Sequence, residues 1–134
     1  MIDVPEVAAA IIIHDRRVLV TRRAPGQKMA GLWEFPGGKV EPGETVEACI
    51  VRELAEELGI ATVAGRILMR NLHHYPGGAI ELVAVLVGID AGTIALSVHD
   101  AVHWATAADL ARLDLAPADI PVARLLHDRL DPGD

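Results

Sequence analysis

Aromatic residues and cysteine are scarce in this chain of 134 residues. Aromatic side chains make up only 3% of the sequence, while 51% of its residues are hydrophobic. A folded core must therefore be aliphatic, built from Val, Ile, Leu and Ala. The single cysteine, Cys49, excludes an internal disulfide framework, and we interpret it as a packing residue.

Long apolar runs and an excess of positive charge are also lacking. No run reaches the ~20 residues of a membrane-spanning helix, and the first six residues are acidic where a secretory signal would be basic. Lys and Arg number 12 against 19 Asp and Glu, a formal net charge of -7. Because such a field repels polyanions, a phosphate ligand needs local cations or metal ions. We expect a cytoplasmic protein with neither a membrane nor polymeric nucleic acid as partner.

Apolar runs and turn residues predict one domain over residues 1–134. The predicted strands are Val7–Ile13, Val18–Arg22, Leu32–Phe35, Val63–Asn71, Ile80–Ile89 and Val102–Ala105. The predicted helices are Thr45–Leu58, a short helix opened by Thr106–Asp109, and Ile120–Leu130. Because strands and helices interleave irregularly, this pattern indicates an α/β fold with a mixed sheet.

The helix predicted over 45–58 carries three glutamates on one face. Glu53, Glu56 and Glu57 fall within about 100° of arc on a helix of 3.6 residues per turn. Their repulsion costs a few tenths of a kcal/mol per pair, and the nearby cation is Arg52. The glutamates form either an ordinary acidic solvent face or part of a ligand site.

The segment ahead of this helix favours the ligand site. Gly37 and Gly38 allow the backbone to approach a ligand closely, and Glu44 follows a turn at Pro42–Gly43. Carboxylates and a main-chain carbonyl form an oxygen-only ligand set, which suits Mg²⁺ or Mn²⁺ and not zinc. A Ca²⁺ site is less favoured, since the alternating acids of a calcium loop are missing.

These residues resemble the Nudix box. Gly38, five residues, Glu44, seven residues and then Arg52–Ile60 match every defined position of that motif over residues 38–60. Resemblance to the MutT branch of the Nudix hydrolases extends further, through Arg22–Ala24, Trp33–Lys39 and Ala116–Val122. It implies an α/β/α sandwich with a mixed β-sheet, in which the box forms loop, helix and loop.

The resemblance also implies how the cofactor, Mg²⁺ or alternatively Mn²⁺, is held. The matching metal ligands are the Gly37 carbonyl, Glu53, Glu56 and Glu57. Either Glu53 or Glu56 would also take the proton from the attacking water, and the sequence does not choose between them. Arg52 and Glu44 complete the catalytic set, as a pair that braces the loop against the helix.

Substrate-binding positions follow from the same resemblance. They are Arg23, Glu34, Gly38, Lys39 and Asp119. Arg23 would contact phosphate, or it is a solvated arginine at a strand end. Asp119 stands where MutT enzymes acting on oxidised dGTP read the base with asparagine. As an ionised carboxylate it would accept hydrogen bonds only, favouring bases that present an amino group. Alternatively, Asp119 caps the last helix.

The chain departs from the MutT pattern at one position. A further metal-binding glutamate is usual about six residues before the position of Trp104, and here Val98 stands there. Either Asp100 substitutes for it or one metal site is weakened. We interpret three histidines as partly buried scaffold and not as metal ligands: His73, His74 and His103.

The expected activity is hydrolysis of a small-molecule nucleoside triphosphate to the monophosphate and pyrophosphate. The (d)CTP type and oxidised dGTP (8-oxo-dGTP) are the expected substrates, for a monomer or homodimer with a house-cleaning or pyrimidine-directed role. One alternative is a Nudix hydrolase of another nucleoside diphosphate derivative, an ADP-sugar or dinucleotide. Such enzymes often carry extra N-terminal elements, whereas the first strand here begins at about Val7. The other alternative is a nonenzymatic Nudix-fold nucleotide sensor, a class that tends to lose the box carboxylates retained here.

Overall fold

The computed structural model describes residues 4–130, so the two ends of the predicted 1–134 domain lie outside it. Within that range the strands are β1 Glu6–Ile11, β2 Ile13–His14, β3 Arg17–Arg23, β4 Trp33–Glu34, β5 Gly37–Lys39, β6 Ala61–Tyr75, β7 Gly78–Ala91 and β8 His99–Ala105. The α-helices are α1 Val46–Leu58, α2 Ala107–Arg112 and α3 Ile120–Leu126. Short 3₁₀ helices cover Pro117–Asp119 and His127–Arg129. None of the helices in residues 4–130 is both long and apolar enough to cross a membrane.

A mixed sheet forms the centre of the fold, with strand order β5-β1-β7-β6. β1 is antiparallel to β5 and parallel to β7, and β7 is antiparallel to β6. Successive residues of β1 enter opposite core layers, as alternation along a strand requires. Ala9 belongs to the same buried cluster as Leu126 of α3, and Ala10 to the same cluster as Leu54 of α1. Helices therefore cover both faces, which confirms the expected α/β/α sandwich.

The chain passes between the central sheet and a second sheet at two points. The second sheet has the order β2-β3-β4, with β8 paired to β3. The strand predicted over Val7–Ile13 is divided, because its first part pairs in the central sheet and Ile13 pairs with Val18 of β3. The chain crosses again between β4 and β5, where the Pro36 carbonyl accepts from the Ala10 amide at 2.7 Å. Glu34 and Gly37 consequently lie on either side of the seam between the sheets.

Helix α1 has the ends that its sequence predicts. Thr45 caps the first turn by accepting from the Ala48 amide at 3.0 Å. Gly59 ends the helix in the left-handed region, with φ 68°. Cys49 is buried on the packed face, and burial, followed by the charge of Glu44, raises the pKa of its thiol to about 12. Its expected packing role agrees with an unreactive thiol.

The C-terminal segment corrects one predicted helix end and excludes the cap alternative for Asp119. α3 ends at Leu126 and continues to Arg129 only as a 3₁₀ turn, so the helix predicted to Leu130 is shorter. Asp119 does not cap α3: its backbone is helical (φ -85°, ψ -15°) and its side chain makes no capping hydrogen bond. A capping residue is normally extended, which aims its side chain at the first amides of the helix. Here Asp119 closes a 3₁₀ helix that runs directly into α3.

Candidate active site

Glu53 lies directly against the backbone of Gly38. A Cβ built on Gly38 would stand 2.4 Å from Glu53 Cδ and 2.6 Å from its Oε1, so a larger residue there would displace the carboxylate. Gly37 is required for a different reason, since its Cβ would meet the Ala8 carbonyl of the neighbouring strand. The Gly37 carbonyl belongs to the peptide that joins Gly38. The carbonyl predicted as a metal ligand is thus one peptide bond away from the residue that Glu53 contacts.

Glu57 lies one turn further along α1 and carries an unpaired buried oxygen. Its Oε2 has no hydrogen-bond partner among the described residues. Burial, followed by the nearby carboxylates of Glu53 and Glu34, raises the pKa of Glu57 to about 8. A buried oxygen without a partner is costly, and a cation would satisfy it.

Arg52 joins the loop to the helix. Its Nε and Nη2 donate to Oε2 and Oε1 of Glu44 at 2.8 and 3.0 Å, and Nη2 reaches the Lys39 carbonyl at 3.3 Å. Nη1 donates to Glu53 Oε1 at 2.9 Å. The hydrogen bonds from Arg52 lower the pKa of Glu44 to about 2, and this pairing raises the pKa of Arg52. Arg52 therefore braces the loop against the helix. Lys39 contributes its backbone carbonyl to this network, and its side chain takes no part.

Glu56 differs from the other two box glutamates in being exposed. Its side chain is 60% exposed and contacts Arg52 Nη1 at 3.2 Å. In residues 4–130 no three His, Cys, Asp or Glu side chains already converge as a metal site. The structure thus brings Glu53 and Glu57 to the seam, whereas Glu56 lies on the exposed side of Arg52 and shares its Nη1 with Glu53.

Glu34, on β4, lies close enough to Glu57 and Asp119 for its charge to raise the pKa of both. We call the region that these three side chains border the cleft. Its Oε2 lies 2.8 Å from His99 Nε2 and 3.6 Å from Arg23 Nη1. Arg23 also donates through Nε to the Lys28 carbonyl at 3.2 Å. Arg23 is therefore held beside Glu34, and the alternative of a freely solvated arginine does not apply.

Asp119 is buried at the same end of the cleft. It is 5% exposed, and burial, followed by the charge of Glu34, raises the pKa of its carboxyl well above the ordinary range. A hydrogen bond from the Phe35 amide only partly opposes this shift. The expectation that Asp119 only accepts hydrogen bonds rested on an ionised carboxylate, and burial works against that state. A protonated carboxyl both donates and accepts.

Asp100 does not replace the glutamate missing at Val98. Its Oδ1 accepts from Arg22 Nε at 2.8 Å on the protein surface, which lowers the pKa of Asp100. The neighbouring residue His99 instead faces the site, a role that the sequence analysis missed. The three histidines interpreted as scaffold lie elsewhere: His103 pairs with Asp109 at 3.0 Å, and His73 and His74 lie on β6.

Comparisons with known proteins agree with this geometry. The NUDIX domain family model matches residues 4–126. The CTP pyrophosphohydrolase of Escherichia coli K12 is 42% identical over 117 residues, 87% of each chain. The 8-oxo-dGTP diphosphatase of the same organism is 35% identical over 118 residues, 87% of this chain and 92% of that one. The solution structure of the E. coli ORF135 protein superposes with a TM-score of 0.78 at 39% identity, covering 90% of this chain and 86% of that one.

The chain belongs to the Nudix family, and within it to the MutT-like hydrolases. The expected family, fold and enzyme class are confirmed. A nonenzymatic sensor is correspondingly disfavoured.

Proposed function

We propose that the protein is a divalent-metal-dependent nucleoside triphosphate pyrophosphohydrolase, which releases the nucleoside monophosphate and pyrophosphate. The observation that carries the proposal is the unpaired, buried Glu57 Oε2 beside Glu53, in a Nudix hydrolase with a complete box. The names of the two E. coli relatives support a nucleotide substrate.

The residues at the seam fit Mg²⁺. The candidate ligand atoms are all oxygens, as Mg²⁺ prefers. Glycine at position 38 leaves room for the Glu53 carboxylate. Glu57 Oε2 is buried without a hydrogen-bond partner among the described residues, so it is free to bind a cation. The proposed ligands are the Gly37 carbonyl, Glu53, Glu56 and Glu57. When bound, the metal would offset phosphate charge and lower the pKa of a coordinated water.

Glu53 is the better candidate for the proton acceptor. Its side chain is 15% exposed and fixed by Arg52, whereas that of Glu56 is 60% exposed. A positioned acceptor is more effective than a mobile one, because proton transfer requires hydrogen-bond distance in the transition state. Arg52 and Glu44 then support catalysis indirectly by holding Glu53.

Arg23 and Lys39 are the proposed phosphate contacts. Arg23 borders the cleft next to Glu34, and Lys39 has an exposed side chain at the end of β5. These local cations, together with metal, allow a protein of net charge -7 to bind a polyphosphate.

Glu34 and Asp119 are the proposed base contacts. A protonated Asp119 carboxyl offers a donor and an acceptor side by side, and adjacent donor and acceptor groups occur on cytosine, uracil and 8-oxoguanine alike. An ionised Glu34 only accepts, so it selects bases that present an amino group. This combination favours (d)CTP-type nucleotides or 8-oxo-dGTP.

A nucleotide panel with Mg²⁺ tests the proposal. Ribo- and deoxynucleoside triphosphates, 8-oxo-dGTP and ADP-ribose are compared by the products released, with Glu53→Gln as the inactive control. We expect pyrophosphate and the monophosphate from a cytosine nucleotide or 8-oxo-dGTP. Release of inorganic phosphate, or hydrolysis of ADP-ribose alone, contradicts the proposal.

A further inference from the structure

We infer that His99 is a positioning residue for base selection, because it fixes the Glu34 carboxylate through one oxygen and leaves the other to accept from the nucleotide. The inference rests on the proposed contact between Glu34 and the base. It assigns a role to a residue outside the Nudix box.

A β-bulge turns His99 toward the cleft. β3 pairs Arg22 with Ala101 but Arg23 with His99, so Asp100 has no partner in the register. Because paired residues point to the same face of a sheet, Arg23 and His99 share a face. Without the extra residue Arg23 would oppose Asp100, and Asp100 would point into the cleft instead.

Glu34 lies on the same face, reached from the other side of β3. It pairs with Thr21, two residues before Arg23, so both pairs point the same way. The His99 side chain is 0% exposed, and its Nε2 reaches Glu34 Oε2 at 2.8 Å. The contact thus ties β8 to β4 across the end of β3, two strands that do not pair with each other.

The contact of the ring with Glu34 defines the role of Nε2. An ionised Glu34 only accepts, so His99 Nε2 must be the N–H donor. Nδ1 is buried and has no hydrogen-bond partner within residues 4–130. His99 is therefore a fixed donor toward Glu34 Oε2, and Oε1 remains for a base.

A purely structural role predicts a different outcome. A buried histidine that serves only packing would, when replaced, lower stability and activity alike for every nucleotide. A positioning role changes the discrimination between nucleotides that differ at the amino group. Cytosine and uracil make that comparison, since uracil has a carbonyl where cytosine has its amino group.

The test uses three substitutions in the full-length enzyme. His99→Leu fills space but cannot donate, His99→Gln carries an N–H at a comparable reach, and His74→Leu is a control at an exposed site on β6. kcat and KM are measured for dCTP and dUTP, along with Tm. We expect His99→Leu to lower the ratio of kcat/KM for dCTP over dUTP about tenfold, mainly through KM. His99→Gln should restore the ratio, and His74→Leu should leave it unchanged.

A double-variant cycle shows whether His99 acts through Glu34. In a Glu34→Gln background, His99→Leu should no longer change the ratio. If His99→Leu does not fold, His99→Asn replaces it, because its shorter amide falls short of Glu34 while that of glutamine reaches it. An unchanged ratio in the Leu or Asn variant, or equal losses for both nucleotides, overturns the inference. Parental enzyme that hydrolyses no nucleoside triphosphate overturns the proposed function as well, which separates the two failures.

Discussion

The guanidinium of Arg52 holds the carboxylate of Glu44 at two points, with Nε 2.8 Å from Oε2 and Nη2 3.0 Å from Oε1. The remaining nitrogen, Nη1, donates to Glu53 at 2.9 Å. One side chain therefore ties the loop ahead of α1 to the glutamate beside Gly38. The planar guanidinium group of arginine can donate from three nitrogens to two carboxylates in this way, whereas the single ammonium nitrogen of lysine could not.

Glu44→Gln should flatten the acid dependence of stability. Arg52 lowers the pKa of Glu44 from its ordinary 4.5 to about 2. A lowered carboxyl pKa stabilises the fold above about pH 4.5, and that contribution is lost as the pH falls towards about 2. We expect the variant to be less stable at pH 7 and to lose less on acidification. Urea unfolding at pH 7, 4.5 and 3 measures this, with the exposed Glu47→Gln as the control. Parallel curves for Glu44→Gln and the wild type would refute the pairing as a source of acid sensitivity.

Glu57→Gln should raise the stability of the metal-free protein and reduce the further stabilisation by Mg²⁺. Without metal, the variant should melt above the wild type, because a buried unpaired carboxylate oxygen has been replaced by a neutral amide. Mg²⁺ should raise the Tm of the wild type by binding the folded state, and raise that of the variant much less. Thermal unfolding with chelator and with excess Mg²⁺ measures both effects. Full turnover of the wild type in chelator would refute the metal mechanism.

The box helix was predictable because its signals are local. Thr45, Gly59 and the spacing of the glutamates lie within one short segment, and each acts on neighbouring residues. The register of distant strands carries no such signal. Two features depend on pairing between distant strands: the division of the first strand at Ile12 and the bulge opposite Arg23. The sequence therefore did not predict that His99, and not Asp100, points into the site.

The alternative of a helix cap at Asp119 was wrong for a related reason. Aspartate ahead of an apolar run is typical of a helix cap, and the sequence does not show that Pro117–Asp119 already forms a helical turn. Nor does it show that the carboxyl is buried near Glu34, which changes its preferred protonation state. Burial and long-range neighbours both come from the tertiary fold.

Glu53→Gln and Glu56→Gln should have different effects on kcat and on the Mg²⁺ concentration that the enzyme requires. Glu53 is fixed by Arg52 against Gly38, so its loss should lower kcat by at least ~10²-fold at any Mg²⁺ concentration. Glu56 is exposed, so its loss should raise the Mg²⁺ concentration required and be partly offset by excess metal. Metal titrations of kcat for both variants, with Glu47→Gln as the control, measure the difference. Identical titration curves would contradict the assignment of Glu53 as proton acceptor.

Asp119 provides the last test, because its burial opposes the ionised state on which the expectation from sequence rested. A protonated carboxyl and an amide each offer one donor and one acceptor side, so Asp119→Asn should keep most of kcat/KM for dCTP. Asp119→Ala removes both groups and leaves the base edge unpaired, which should cost about 1–3 kcal/mol in kcat/KM. Because uracil also presents a donor beside an acceptor, Asp119→Ala should impair dUTP as well, and discrimination should depend on Glu34. Neither variant loses a helix cap, since Asp119 makes no capping bond. Kinetics with both nucleotides and Tm measurements decide the matter: if Asn is as damaging as Ala, Asp119 works as an ionised acceptor despite its burial.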